Sequence, residues 1–144
     1  MSNPQLTEQL RRKIDEVAKT LAHTGDLAAF ADSLKAIHDQ ALAEHAHQLM
    51  AGAFPDHEVV IFARNWDEDA PHLLQVLTSR ADIEEYDGSI EKSRPTWMTR
   101  QQWAALIEAE RSIAHIGSDD EILQHLDPGE TEHEDWTEFQ LNLR

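Results

Sequence analysis

The sequence predicts an α+β domain, from a long helical pattern near the N-terminus, a β-branched segment after Pro55 and an alternating C-terminal segment. We expect an N-terminal antiparallel helical hairpin packed on a small, mostly antiparallel sheet, with one or two further helices. A chain of 144 residues has the usual size of one domain. We therefore interpret residues 1–144 as a single α+β domain, with the hairpin over 4–54 and the strands and other helices over 57–144.

The longest helical pattern runs from Asp26 to Phe54. Its apolar residues recur at spacings of three and four, which predicts a stripe that faces a core. The members of this stripe are Leu27, Phe30, Ala31, Leu34, Ile37, Ala41, Leu42, Leu49 and Met50. Gly25 permits a sharp turn before Asp26, which can cap the helix, and Pro55 forces Phe54 out of the α region. We expect the neighbouring segments to pack against this helix.

A second helical pattern precedes it and begins at Asn3-Pro4, a cap followed by a first-turn proline. Its narrow apolar stripe consists of Leu6, Leu10, Ile14, Val17 and Leu21. The break at 23–26 is short, so the two helices are predicted to pair antiparallel. Arg11-Arg12-Lys13 is the only basic cluster, and on a helix its members splay into solvent.

The segments after Pro55 predict strands. Glu58 to Ala63 is β-branched, aromatic and apolar on both alternating faces, which is typical of an interior strand. His72 to Thr78 fits either a short helix or a strand, because periodicity cannot decide a run of this length. We favour a strand in a hairpin, since the acidic loop before it has a usual hairpin length.

Two capping boxes predict the remaining helices. Thr99 with Gln102 opens a third helix, which carries Trp103, Leu106, Ile107 and Ile113 on one face and breaks at Gly117. Ser118 with Glu121 opens a short fourth helix through Ile122, Leu123 and Leu126, which Pro128-Gly129 closes. Between these elements, Asp87-Gly88 signals a turn in 81–95.

The C-terminal segment alternates with a period of two, which predicts a half-exposed strand paired with 58–63. One face holds Thr137, Phe139, Leu141 and Leu143, and the other holds Glu138, Gln140 and Asn142.

The net charge of −16 narrows the classes of function. A protein that tracks nucleic-acid phosphates needs Lys and Arg gathered on one face, so we expect no direct nucleic-acid binding and instead a basic protein partner. The absence of cysteine excludes disulfides, thiol catalysis and thiolate metal sites. No segment predicts a signal sequence or a membrane span, so we expect a soluble, cytoplasmic protein that is a monomer or a homodimer.

The nine histidines suggest no metal centre and no catalytic group. Glu44 with His47, and Glu121 with His125, have the spacing of helix-borne ligands, but two common residues are weak evidence. His38 and His45 lie two turns apart on the apolar stripe, where we expect histidines at the edge of the core. We therefore predict no cofactor and no catalytic residue.

Two tryptophans stand among acidic residues, which is typical of a surface that attracts a cationic partner. The candidate partner-binding residues are Trp66, Asp67, Glu68, Asp69, Glu132, Glu134, Asp135 and Trp136. The acidic surplus continues through 113–143, a segment without Lys or Arg. Solvated loops with tryptophans tucked into the core are the alternative interpretation. We assign Trp97 and Trp103 to the core.

We therefore predict a non-enzymatic, acidic protein-binding module that neutralises or escorts a basic macromolecule. An immunity or inhibitor protein for a nuclease-type toxin is one such case, because carboxylates can replace phosphates in a site built for nucleic acid. One alternative is a metal-dependent or acid–base enzyme that uses histidines and carboxylates of the 26–54 helix. Another is a non-catalytic scaffold or self-associating subunit.

Overall fold

The structure is a computed structural model that describes residues 4–24, 27–83, 90–129 and 133–144, with the side chains of 4–7 and 20–24 excepted. Its helices are α1 (Pro4–Thr24), α2 (Leu27–Ala53), α3 (Arg100–Ala114) and α4 (Asp119–Ile122). Its strands are β1 (Val59–Asn65), β2 (His72–Leu77), β3 (Asp127–Pro128) and β4 (Trp136–Asn142). The α+β prediction is confirmed. The predicted turns at 25–26 and 87–88 and the cap at Asn3 lie outside the described residues.

The described strands form one antiparallel sheet in the order β2-β1-β4-β3. β1 is an interior strand, as predicted, because hydrophobic clusters cover both of its faces. Val60 and Phe62 join the main core, while Val59, Ile61 and Ala63 join a smaller cluster on the opposite face. The ambiguous segment after residue 71 is a strand, which confirms the predicted hairpin.

β4 is more enclosed than its alternation predicts. Its partners are β1 on one side and β3 on the other, with Gln140 opposite both Ile61 and Asp127. Only 3% of Gln140 is exposed. The predicted strand is therefore correct in its position and pairing, and its second face is partly buried at Glu138 and Asn142 and fully buried at Gln140.

The main core lies between the sheet and helices α2 and α3. Its fully enclosed large side chains include Met50, Phe54, Phe62, Leu106, Ile113 and Phe139. α1 packs against α2, and α2 packs against α3. Among the described residues, no helix has both the length and the apolar character needed to cross a bilayer.

The buried face of α2 differs from the predicted stripe. The fully buried residues are Asp39, Ala43, Ala46 and Met50, whereas Leu27 and Leu34 are 72% and 44% exposed. Small side chains let α2 and α3 approach closely, and Ser112 Oγ donates a hydrogen bond to the Leu42 carbonyl across this contact at 2.8 Å. Met50, Leu42 and Leu49 of the predicted stripe do contact the core, whereas the N-terminal leucines of the stripe do not, because alanines form the contact with α3.

The same offset places the two histidines of the predicted stripe in solvent. The side chain of His38 is 68% exposed and that of His45 is 48% exposed, so neither lies at the edge of the core. His45 Nε2 lies 3.3 Å from Glu108 Oε1 on α3, which is a surface contact.

Both predicted capping boxes are present. Thr99 and Gln102 cap α3 reciprocally, and Ser118 and Glu121 do the same for α4. Gly117 has a φ of 130°, a conformation that favours glycine, and this allows the chain to reverse between the two helices. The regular helix of α4 ends at Ile122, earlier than predicted.

Glu110 is an ionisable group buried between α3 and β2. Its Oε1 accepts a hydrogen bond from the Leu73 amide at 2.9 Å, and its Oε2 lies 3.6 Å from Nδ1 of His72. Burial raises the pKa of Glu110 to about 7 from the usual 4.5, and burial also lowers the pKa of His72. Both shifts favour neutral side chains in this interface.

We expect Glu110→Gln to stabilise the protein above pH 7 by about 2 to 3 kcal/mol, since the amide still accepts the Leu73 hydrogen bond. The raised carboxyl pKa contributes stability that is complete below pH 4.5 and is lost as pH rises through about 7. Urea unfolding from pH 4 to pH 9 measures the difference. Glu108→Gln, at an exposed position on the same helix, is the control and should change the free energy of unfolding by less than about 0.5 kcal/mol. Identical profiles for wild type and Glu110→Gln would contradict the assignment.

Candidate protein-binding site

The pairing of β1 with β4 brings the two tryptophan-acid segments of the sequence together. Asn65 is opposite Trp136 in the register, and the Trp66 amide donates a hydrogen bond to the Asp135 carbonyl at 3.1 Å. Residues 66–69 and 134–136 therefore lie side by side at one end of the sheet. Two segments separated by about 70 positions in the chain form one surface, which we call the Trp66 face.

Trp66 is the exposed centre of this face. The residue is 66% exposed, yet its indole Nε1 donates a hydrogen bond to Thr137 Oγ1 at 3.1 Å. The Thr137 hydroxyl in turn donates to Asp119 Oδ2 at 2.8 Å. The indole thus has a fixed polar edge, while its apolar surface remains in contact with solvent.

Arg64 fixes the position of Asp119, and through it the positions of Thr137 and Trp66. Its guanidinium donates through Nε to Asp119 Oδ1 at 2.8 Å, with a second, shorter contact from Nη2 to the same oxygen. Nη1 donates to the Gly117 carbonyl at 2.9 Å, so one buried cation ties β1 to the start of α4. The polar chain from Arg64 through Asp119 and Thr137 ends at Trp66.

Sequence reasoning missed Arg64 and Asp119. The available signal is a lone basic residue directly after the apolar run that ends at Ala63, because a cation in such a position needs a buried partner. Among many acidic residues, however, the sequence does not indicate which one that partner is.

Trp66 stands between two depressions. One, of about 500 Å³, is lined by Arg64, Trp66, Glu68, Ser118, Asp119 and Asp120. The other, of about 400 Å³, lies towards Pro128 and Trp136. Because both depressions share the indole as a wall, side chains of a partner can enter on either side of Trp66.

The carboxylates around Trp66 are mostly free in solvent. The exposed ones are Asp67, Asp69, Asp120, Glu134 and Asp135. Glu68, also a predicted binding residue, is engaged within the chain: Lys92 Nζ and Asn65 Nδ2 both donate to its Oε1. The hydrogen bond from Lys92 is the main reason why the pKa of Glu68 lies below its usual value. Glu68 is therefore held in place within the chain, where it lines the first depression beside Trp66.

Trp136 is partly buried and lines the second depression, whereas Trp66 is exposed. Its indole stacks on the His133 imidazole with 4.4 Å between ring centroids and 22° between planes. On its other side it packs against the smaller hydrophobic cluster. Glu132, another predicted binding residue, lies outside the described residues.

The core assignment of the other two tryptophans is half correct. Trp103 is partly buried and packs against the main core, as predicted. Trp97 is 58% exposed, so its assignment is wrong. Its neighbour Met98 is only 1% exposed and takes the core position at this turn.

The histidine and carboxylate pairs of the sequence give no metal centre in the described part of the chain. No three His, Asp or Glu side chains of that part are arranged to hold a metal ion. Glu44, His47 and His125 line a separate depression of about 500 Å³ between α2 and the β3 edge. There, Glu44 Oε1 accepts a hydrogen bond from Gln40 at 3.1 Å.

Glu110, the carboxyl group whose pKa burial raises to about 7, is enclosed between α3 and β2. It lines neither of the two depressions beside Trp66.

Comparisons with protein-family models, with curated proteins and with solved structures give no match to this chain.

We expect Asp119→Ala to destabilise the fold by about 3 kcal/mol, because it leaves the buried Arg64 guanidinium without its carboxylate. Asp120→Ala removes the same charge from the neighbouring exposed position and should change stability by less than about 0.5 kcal/mol. Urea unfolding of the two variants measures this. Equal, small effects would show that the pair does not support the face.

Proposed function

We propose that this protein is an acidic protein-binding module that captures a basic macromolecular partner on the Trp66 face. One observation carries the proposal: an exposed tryptophan, fixed at its polar edge, stands among exposed carboxylates from two distant segments of the chain. A binding site of this kind combines a large contact surface with a charge field around it.

The chemistry of the face favours a cationic partner. Carboxylates accept charge-assisted hydrogen bonds from arginine and lysine, and an indole face attracts the same cations through its quadrupole. Because Thr137 already fixes the indole, little side-chain freedom is lost on binding. The net charge of −16 adds long-range attraction that speeds encounter.

A protein that normally binds nucleic acid is the partner class that fits best. Its cationic cleft is built for phosphates, and carboxylates spaced around an aromatic ring can occupy the same positions. An immunity or inhibitor protein for a nuclease-type toxin acts in this way, by neutralising or escorting its target. We propose the cytoplasm as the setting, with one such face on a monomer or two on a homodimer.

We expect simultaneous reversal of Asp67, Asp69, Glu134 and Asp135 to lysine to slow association with the captured partner by at least about tenfold at low salt. The dissociation rate should change less, because these carboxylates act mainly before contact. A pull-down from lysate of the source organism at low and high salt identifies the partner, and surface-based kinetics with that purified partner measures both rates.

The control reverses Asp56 and Asp82, two exposed acids at the opposite end of the sheet. This change should leave the association rate close to that of wild type after correction for net charge. Equal slowing by the two sets would show that the whole acidic surface acts without a defined site. Undiminished association of the four-residue variant would contradict the proposal.

A further inference from the structure

The N-terminal hairpin presents an apolar face that the rest of the described chain leaves uncovered. From residue 8 to residue 19, where the side chains of α1 are described, no residue is buried. Ile14 is 52% exposed, Leu27 is 72% exposed and Leu34 is 44% exposed. A helix with a clear apolar stripe normally turns that stripe towards a core.

Helical periodicity places these exposed residues on one side of the hairpin. In α1, Leu10 and Val17 are half-buried where the helix packs on α2, and Ile14 and Ala18 lie on the adjacent, exposed surface. In α2, Leu27 and Leu34 occupy one row because they are seven residues apart. Since the two helices pack against each other, α2 extends the apolar surface of α1 rather than covering it.

The hairpin up to residue 38 carries no net charge. Residues 1–38 contain five acidic residues, Glu8, Asp15, Glu16, Asp26 and Asp32. They contain five basic residues, Arg11, Arg12, Lys13, Lys19 and Lys35. The whole charge of −16 therefore resides in 39–144. Two copies of this chain therefore repel one another least at this part of the hairpin.

The charges beside the apolar face of α1 can pair with those of a second α1 that runs in the opposite direction. On the flank next to Ile14 and Ala18, Arg11 is followed four residues later by Asp15, so one positive and one negative charge lie beside the apolar face. When a second α1 runs in the opposite direction, Arg11 of each copy meets Asp15 of the other. In a parallel arrangement, each charge would lie beside the same charge on the second copy, and the two would repel.

We propose that the hairpin is a homodimerisation surface, in which two copies of α1 pack antiparallel about a two-fold axis near residues 13 and 14. The dimer covers Ile14 and the exposed leucines of α2 and forms two Arg11–Asp15 pairs. Glu8 and Arg12, which lie 3.8 Å apart on the same helix, are on the side of α1 away from Ile14.

The available area is sufficient for such a dimer. α1 has 21 residues and is about 30 Å long, and two adjacent helices about 10 Å wide present a face of roughly 600 Å². The two copies together bury roughly 1,200 Å², which is the lower end of the range for specific interfaces. The dimer carries two Trp66 faces, and it exists whether or not these faces bind the proposed basic partner.

Sedimentation equilibrium over a range of protein concentrations tests the dimer directly. We expect wild type to form a dimer, Ile14→Glu to be a monomer with unchanged circular dichroism, and Arg11→Glu to raise the dissociation constant about tenfold. The double variant Arg11→Glu/Asp15→Arg exchanges the two signs in each chain. It should recover the affinity of wild type, because each crossing pair is restored with its charges reversed.

Arg12→Glu is the matched control, because it makes the same charge change on the side of α1 away from Ile14. It should leave the dissociation constant within about twofold of wild type. A wild-type monomer at every concentration would overturn the proposal. A double variant no tighter than Arg11→Glu alone would overturn the antiparallel arrangement.

Discussion

The buried ion pair between Arg64 and Asp119 is the interaction on which the Trp66 face depends. Arg64 stands where β1 leaves the core, and a cation in that position needs a partner that remains hydrogen-bonded. Asp119 meets this need with one oxygen and uses the other to accept from Thr137, which fixes the indole of Trp66. One pair thereby links the central strand, the start of α4 and the exposed aromatic ring. The hydrogen bonds that pair the buried Arg64 charge therefore also fix the orientation of Trp66 at the surface.

The sequence was sufficient for most of the fold because the elements carry strong local signals. The capping boxes at Thr99 and Ser118 located two helix starts, and the β-branched run after Pro55 located the central strand. The face of α2 was predicted only in part, because the contact with α3 uses Ala43, Ala46 and Ala109, whose small size rather than hydrophobicity permits close approach. Hydrophobic periodicity gives most weight to large residues, and here several of those remain exposed on the hairpin.

The sequence predicts many of the residues of the Trp66 face but not how the fold brings them together. Local composition found Trp66 and its acidic neighbours, yet their adjacency to Asp135 follows from a β1–β4 register that no local pattern contains. Sequence could not separate the free Asp67 from Glu68, which Lys92 engages, because that pairing joins distant positions. The division of charge is visible in the sequence once the hairpin is known: residues 1–38 carry no net charge and suit self-association, and the acidic remainder suits capture of a cation.

NMR of the indole N–H groups shows whether Trp66, rather than acidity alone, makes the binding surface. Trp97 is an internal reference, since it is similarly exposed but lies between Arg94 and Arg100. ¹⁵N-labelled protein is titrated with an arginine-rich peptide, and Trp66→Phe and Trp97→Phe variants assign the two signals. We expect a saturable shift of the Trp66 signal that salt weakens, with the Trp97 signal unmoved. A stationary Trp66 signal, or equal shifts of both tryptophans, would contradict it.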